Sequence, residues 1–538
     1  MVDTDVLIVG AGPVGLTLAI DLGRRGIDCV LIERKPAPQF LPKMERCNAR
    51  TMEIFRRLGL ADRIRAAGLP PHVPMDVYVA LAMNERPLLH LPYPSVAQAR
   101  ADIAACRDGS MPLEPYQLIS QYTLEPLLAA EAASLPSVRI CFSTEFVSLS
   151  QDTEHVQATV RTASGPDSRI TARYLVGCDG GTSAVRRHLG IELSGDAGLA
   201  QLYQGLYHCP DLFGRLPIGD GPGPGRHYHI ADAHSTFLIM QDSTRHWTLH
   251  AQVSDAAEMG PQFERTIGVP VRYELLHAAP WKLNLLLADR YQVDRVFLAG
   301  DAVHLVIPTS GLGMNSGVGD AVDLGWKLAA TIRGWGGRHL LASYEAERRP
   351  VGARNIEASR YAFLGRRAWR RQYRPDIRNA TPAGHATRER LTRVAEVEQR
   401  KSNEMIGAEL GYRYDGSPII SPEKDPPDSP LREYVPSTWP GARLPHLWLD
   451  AGRPVQDLIG DTYAILRLGG TTADTSPLEG ALRALGAPVD TLTLESDRAR
   501  DVYGVDLVLV RPDLHVAWRG NVPPNDPQGL AALVTGHA

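Results

Sequence analysis

The chain has 538 residues, 44% hydrophobic and 22% charged, an ordinary globular composition that excludes wholesale disorder and suits two to four domains of ~150 residues each. Lys plus Arg total 57 against 61 Asp plus Glu, a net charge of −4, which argues against a nucleic-acid protein, whose partner is a polyanion. The six cysteines form no C-x-x-C pair and none lies beyond Cys209, so neither a disulfide scaffold nor a metal site is expected, and a reducing cytoplasm fits best.

The chain opens with acids before a short apolar run, which predicts no signal peptide. No run of ~18 apolar residues exists, so no membrane partner is expected. Residues 6–9 are apolar and β-branched, as in a strand buried on both faces. The turn Gly10-Ala11-Gly12-Pro13-Val14-Gly15 follows, and Val14, Leu18 and Leu22 then recur at helical spacing. Gly26 stops that helix, and residues 29–32 form a second buried strand ending at Glu33. Helices are expected over 48–67 and 117–134, separated by a proline-rich stretch of no clear period at 70–115. Alternation over 138–176 predicts a small sheet leading into an apolar strand at 174–176. Residues 195–285 break into short β-rich runs that predict a second, antiparallel sheet. An apolar strand returns at 295–299, followed by a long helix over about 314–332. The charged stretch 366–404 reads as helical. Its run RRAWRRQYR reads as a solvated face rather than a nucleic-acid or membrane patch, given the balanced total charge. Proline-rich residues 417–445 predict a linker, and 446–538 a strand–helix–strand–strand–strand–helix unit.

Three motifs carry chemistry. The first is the glycine turn with Glu33. A helix N-terminus has free N–H groups and partial positive charge, which suit a pyrophosphate. The three glycines allow the tight turn, close phosphate approach and close helix–strand packing, and an acid about 20 residues on accepts from ribose hydroxyls. The second is Cys178-Asp179-Gly180-Gly181, straight after a strand. The third is Gly300-Asp301 at a strand's carboxyl end, followed by Pro308-Thr309-Ser310-Gly311-Leu312-Gly313-Met314-Asn315. There a helix N-terminus and glycine backbone would face a flat ring and stabilise an electron-rich one.

In this order the three motifs resemble the single-component FAD-dependent aromatic hydroxylases, the para-hydroxybenzoate and phenol hydroxylase group, over roughly residues 3–365. Asn48-Ala49-Arg50-Thr51-Met52-Glu53 and Gln121 match further family positions. VDLVLVRPDLHVAWRG at 505–520 resembles the thioredoxin-like C-terminal domain of the larger members. Two departures stand out. Pro42-Lys43 replaces a Pro-Arg common in relatives, and Ile307 replaces the first of two prolines.

The resemblance implies an α/β fold: a Rossmann-like FAD-binding domain with an inserted antiparallel β-sheet substrate domain and a C-terminal thioredoxin-like domain. The FAD-binding domain would comprise 1–76, 105–190 and 286–400, and the substrate domain 77–104 and 191–285. A linker at 401–445 and the final domain at 446–538 would follow. With no cysteine, that last domain can do no dithiol chemistry. Non-covalent FAD would lie against Gly10, Gly12, Pro13, Val14, Gly15, Glu33, Arg34, Gln121, Asp179, Gly180, Gly300, Asp301, Pro308, Gly311, Gly313, Met314 and Asn315, with Lys43 or Arg46 as the cation. The implied activity is hydroxylation of a small phenolic substrate by O2 through a flavin C4a-hydroperoxide, with NADPH or NADH as a transient co-substrate. Alternatives are a Baeyer–Villiger or epoxidising monooxygenase on the same scaffold, and a non-catalytic flavin-binding sensor. No catalytic residue is identified by sequence. Tyr228, His229, His246 and His250 are candidate bases, and Glu45 is a candidate contact. A homodimer is left open.

Overall fold

The computed structural model describes residues 2–162, 165–449 and 452–538. Strand Thr4–Val9 lies at the centre of an eight-stranded sheet. Five strands run parallel in the order Val296–Leu298, Ser168–Gly177, Thr4–Val9, Cys29–Ile32, Val138–Cys141. Val6 sits between Tyr174 and Cys29, so it is buried by neighbours on both sides. Parallel strands need helices on their faces, which explains the unbroken apolar runs. Helix Pro13–Arg24 supplies one cover and packs on helices Gly313–Ile332 and Gln121–Ser134. Its Pro13 stands at the first helical position, where the missing N–H costs nothing.

The helix expected over 48–67 is two helices, Ala49–Arg57 and Ala61–Ala67. Gly59, at φ +67°, turns the chain between them. The aperiodic stretch 70–115 contains strands Val77–Ala80 and Leu89–Leu91 and helix Val96–Ala105. That helix buries only Val96 and Ile103, so its sequence carries almost no amphipathic signal.

The second sheet has seven strands in the order Glu274–Lys282, Gln201–His208, His246–Ala251, Phe237–Met240, His227–Ile230, Val77–Ala80, Leu89–Leu91. All pairs are antiparallel except His227–Ile230 with Val77–Ala80. The antiparallel expectation therefore misses one parallel pair, which arises because Val77–Ala80 comes from a distant part of the chain.

The C-terminal sheet runs Val489–Leu494, Tyr463–Leu468, Leu507–Val510, Val516–Gly520, with helices Ser476–Ala484, Asp497–Tyr503 and Pro527–Val534. Helix Asp497–Tyr503 is additional to the sequence expectation. This unit shares a core with the first domain, because Trp326, Trp335 and Leu340 cluster with Tyr463, Ile465 and Leu482. Residues 401–445 pack down as well. Arg443 is buried and its Nε donates to Glu53 Oε2 at 2.7 Å. Among the described residues no helix is long and apolar enough to cross a membrane.

Candidate functional site

A cavity of about 1130 Å³ runs from the glycine turn to one face of the second sheet. A drug-sized ligand occupies roughly 300–1,000 Å³, so there is room for a large cofactor and a second molecule. Of the residues expected at the cofactor, Gly10, Gly12, Pro13, Val14, Glu33, Arg34, Lys43, Arg46, Gln121, Asp179, Gly180, Asp301, Pro308, Gly311, Gly313, Met314 and Asn315 line it. Gly15 and Gly300 do not, and both act by packing. A Cβ on Gly15 would meet the Gly10 carbonyl at 2.0 Å, and one on Gly300 would meet Val14 at 2.9 Å.

Several groups here lack partners in ways that suit a bound dinucleotide. Beside Gly12, nothing lies within 4 Å of where a Cβ would stand, so the backbone is open to the cavity. Gly10 adopts φ +108°, a conformation that only glycine takes readily, and its N–H donates to Ile32. Glu33 accepts from the N–H groups of Ala11 and Lys35, each at 3.0 Å, which fixes its carboxylate at the rim. Asp179 uses Oδ2 to cap helix Ala184–His188 through the N–H groups of Ala184 and Val185, while its buried Oδ1 has no partner. At helix Gly313–Ile332 the Ser316 N–H donates to the Leu312 carbonyl, leaving the N–H groups of Gly313, Met314 and Asn315 as helix-end donors. The Asn315 side chain is committed elsewhere, to Asn48, Arg46 and Gly311.

The two candidate cations differ. Arg46 is buried, and its Nη2 donates to Ser310 at 3.2 Å and Glu409 at 2.7 Å, leaving Nε and Nη1 without a partner among the described residues. Lys43 is exposed and makes no ion pair among the described residues. Gln121 donates to Glu125 at 2.6 Å. Asp301 opens onto the cavity. The surrounding protein desolvates its carboxyl and pushes it upward, against His304 and Lys43.

Sequence reading gave no role to Asp320, which organises this end of the site. It accepts from the Gly300 N–H at 3.1 Å, from His304 at 2.9 Å and from Arg348 at 2.8 Å. Burial would raise its carboxyl, but Arg348 and His304 outweigh that and hold it at about 2. The Glu53 of the matched Asn48–Glu53 segment is likewise structural, paired with Arg443.

The sheet end of the cavity is aromatic. Phe237 stacks on His250 at 4.5 Å, and Trp281 meets His250 edge-on at 5.3 Å. Of the four candidate bases only His250 lines the cavity. The Tyr228 hydroxyl donates to the Gly223 carbonyl at 3.0 Å, His229 takes a hydrogen bond from Arg370, and His246 faces Ser243. The solvated-face reading of 366–374 is overturned in part. Arg366 and Arg370 turn inward and line the cavity, and Trp369 between them is fully buried. Phe363, Arg366 and Arg370 share one helical face, the spacing that could have shown this.

Burial pushes His227 and His250 down from 6.5 to about 3, with Arg226 adding at His227 and Glu45 opposing at both. Both are neutral in the fold, whereas the unfolded chain protonates them below about 6.5. Stability should therefore fall as pH drops from 6.5 towards 3. Urea midpoints at pH 7 and pH 5 should differ in that direction, and His250→Gln should shrink the difference. An unchanged difference in the variant would remove His250 from this account.

Comparisons with known proteins agree with this geometry. Residues 3–359 match the family described as FAD binding domain, and 437–536 the one described as aromatic-ring hydroxylase, C-terminal. The FAD-dependent monooxygenase apdD of Emericella nidulans is 33% identical, over 96% of this chain and 87% of its own length. Aklavinone 12-hydroxylase DnrF of Streptomyces peucetius is 32% identical, over 86% of this chain and 91% of its own. Among solved structures, RebC with bound 7-carboxy-K252c superposes with a TM-score of 0.89 at 32% identity, covering 100% of both chains.

Proposed function

Because the chain belongs to the FAD-dependent aromatic-ring hydroxylases, we propose that it uses NADPH or NADH and O2 to hydroxylate a phenolic, polycyclic aromatic substrate. It is an enzyme of the flavoprotein monooxygenase class. The observation that supports the finer reading is the continuity of one cavity from the Gly12 backbone to the Phe237–His250–Trp281 wall. Its volume suits a fused-ring substrate beside the cofactor, as do the aklavinone and 7-carboxy-K252c named for the similar proteins.

Non-covalent FAD fits the open Gly12 backbone, the free Asp179 Oδ1 and the helix-end N–H groups at 313–315. When reduced by NAD(P)H it supplies the oxygen-activating chemistry. The protein's own residues bind, orient and shield. Phe237 and Trp281, set nearly at right angles, form an aromatic corner for a flat ring, while Leu202 and Ile239 exclude water from it. His250, neutral with a pKa of about 3, lines the cavity and accepts a hydrogen bond from the substrate hydroxyl through Nε2, since its Nδ1 is shut off from the cavity. Burial lowers its basicity, which suits orienting the hydroxyl better than taking its proton.

Substrate should control cofactor reduction, since reduced flavin with no substrate wastes O2. A tenfold preference needs ~1.4 kcal/mol of differential binding between two states. NAD(P)H oxidation should be slow alone and rise at least about tenfold with a productive phenol, and the product should gain one oxygen with its rings intact. Stopped-flow reduction and product mass across a panel of mono- and polycyclic phenols check both. A ring-expanded lactone would favour the Baeyer–Villiger alternative instead.

A further inference from the structure

Most buried guanidiniums in this protein meet carboxylates, and Arg186, which does not, donates to the Gly181 and Ala302 carbonyls. Arg46 faces Glu409, Arg226 faces Glu45, Arg348 faces Asp320, Arg443 faces Glu53 and Arg511 faces Glu347. The pattern follows from the cost of an uncompensated charge away from water. Arg366 breaks it. It lines the cavity and packs its guanidinium over the Phe237 ring at 5.1 Å, and its Nε is out of reach of water. Among the described residues it makes no hydrogen bond and no ion pair.

Its surroundings add positive charge. Arg370 spends its donors on the Ile230 and Thr236 carbonyls and on His229 Nδ1, which leaves its charge uncancelled by contact with a carboxylate. The Arg226 charge is already matched by Glu45. Next along the same wall, the Trp281 Nε1 and His250 Nδ1 atoms are buried without partners. Burial, with Arg370 and Arg226 adding, pulls the Arg366 guanidinium down to about 9, so it is still charged at neutral pH and strained towards any anion. A cavity wall with a free fork of donors, a second cation behind it and an aromatic plate beneath it is a receptor for a planar carboxylate.

We propose that Arg366 is the anchor of a carboxylate subsite, so that the preferred substrate is an aromatic acid whose carboxylate sits on the guanidinium while the ring lies along Phe237. The inference rests on the proposed aromatic hydroxylation and narrows its substrate class. It also explains why the charged helical run reaches into the protein at this point. Arg366 is a binding and positioning residue, and no proton or electron passes through it.

The test is binding to the holoenzyme, read from perturbation of the flavin spectrum and independent of turnover. The probes are 1-hydroxy-2-naphthoate and 2-naphthoate, each compared with its uncharged carboxamide. The wild type should bind the acids at least about tenfold more tightly than the amides. In Arg366→Gln that preference should vanish while amide affinity and flavin content stay as they were. Arg366→Lys should recover part of it, since it keeps the charge without the fork. Equal affinity for acid and amide in the wild type, failure of both acids to bind, or an undiminished preference in Arg366→Gln overturns the proposal. A preference for acids with no hydroxylated product would leave the subsite standing and remove the proposed reaction instead. Hydroxylation of neutral phenols with no preference for acids would do the reverse.

Discussion

Arg511→Ala should cost about 3–5 kcal/mol of stability, the loss typical of breaking a buried ion pair from one side. Arg511 lies at the end of strand Leu507–Val510 and reaches across into the first domain. It donates to Glu347 at 2.6 and 3.0 Å, to Asp323 at 3.0 Å and to Asp513 at 2.6 Å. Lys327 donates to Asp323 and Glu347 from the other side, at 2.8 and 2.5 Å. Two cations thus face three carboxyls in a dry setting. Burial and the charge of Glu347 push the Asp323 carboxyl above its usual range, while Arg511 and Lys327 hold Glu347 below, against its burial. Removing Arg511 leaves Glu347 with Lys327 alone and Asp513 without its guanidinium, and cuts one of the ion pairs between the domains, beside Arg56–Asp457 and Arg57–Asp461. Urea denaturation followed by intrinsic tryptophan fluorescence suits the measurement, since Arg511 lies 5.1 Å from the Trp326 ring, one of eight tryptophans. The triple change Arg511→Met, Glu347→Gln, Asp513→Asn should recover much of the loss, because no charge is then stranded. A cost below about 1 kcal/mol for Arg511→Ala would mean that the cluster is solvated after all.

The second large effect separates two glycines three residues apart. Gly12→Ala adds a methyl where no protein atom lies within 4 Å. The apoprotein should melt almost as the wild type does, but FAD affinity should fall at least about tenfold, because the methyl occupies the space a pyrophosphate needs. Gly15→Ala places its methyl 2.0 Å from the Gly10 carbonyl and 3.3 Å from the Cys178 side chain. Helix and strand must part, so this variant should lose stability as well as flavin. Flavin absorbance per chain and the melting temperature without added FAD distinguish the two. Full flavin retention in Gly12→Ala would place the cofactor away from this turn.

How much of this was legible in sequence depends on how local the signal was. The glycine turn, Glu33 and the Gly300–Asp301 strand end are readable because each motif lies within one short strand-turn-helix segment. The parallel core and the 195–285 part of the second sheet are readable from apolar and β-rich runs, whereas its strands Val77–Ala80 and Leu89–Leu91 lie in the aperiodic stretch. Helix Val96–Ala105 escaped because only Val96 and Ile103 are buried, which leaves no period to detect. The roles of Asp320 and Arg511 escaped for another reason. Their partners, Arg348, Glu347 and Asp323, are remote in the chain, and a charged residue carries no sequence mark of the charge it will meet. Arg366 was misread because a basic run is usually solvated. Here the fully buried Trp369 inside that run marks an inward face.

The parallel order of the first sheet also sets a schedule for synthesis. Thr4–Val9 emerges early, yet one of its two neighbours is Ser168–Gly177, and that strand's own outer neighbour is Val296–Leu298. At 5–20 residues per second, the central strand waits about 15–60 s for the sheet to be completed. Throughout that time an apolar strand with open edges is exposed to other nascent chains, the situation that favours edge-to-edge association. A chaperone that shields residues 4–32 until Val296–Leu298 has been made should therefore raise the yield of folded protein.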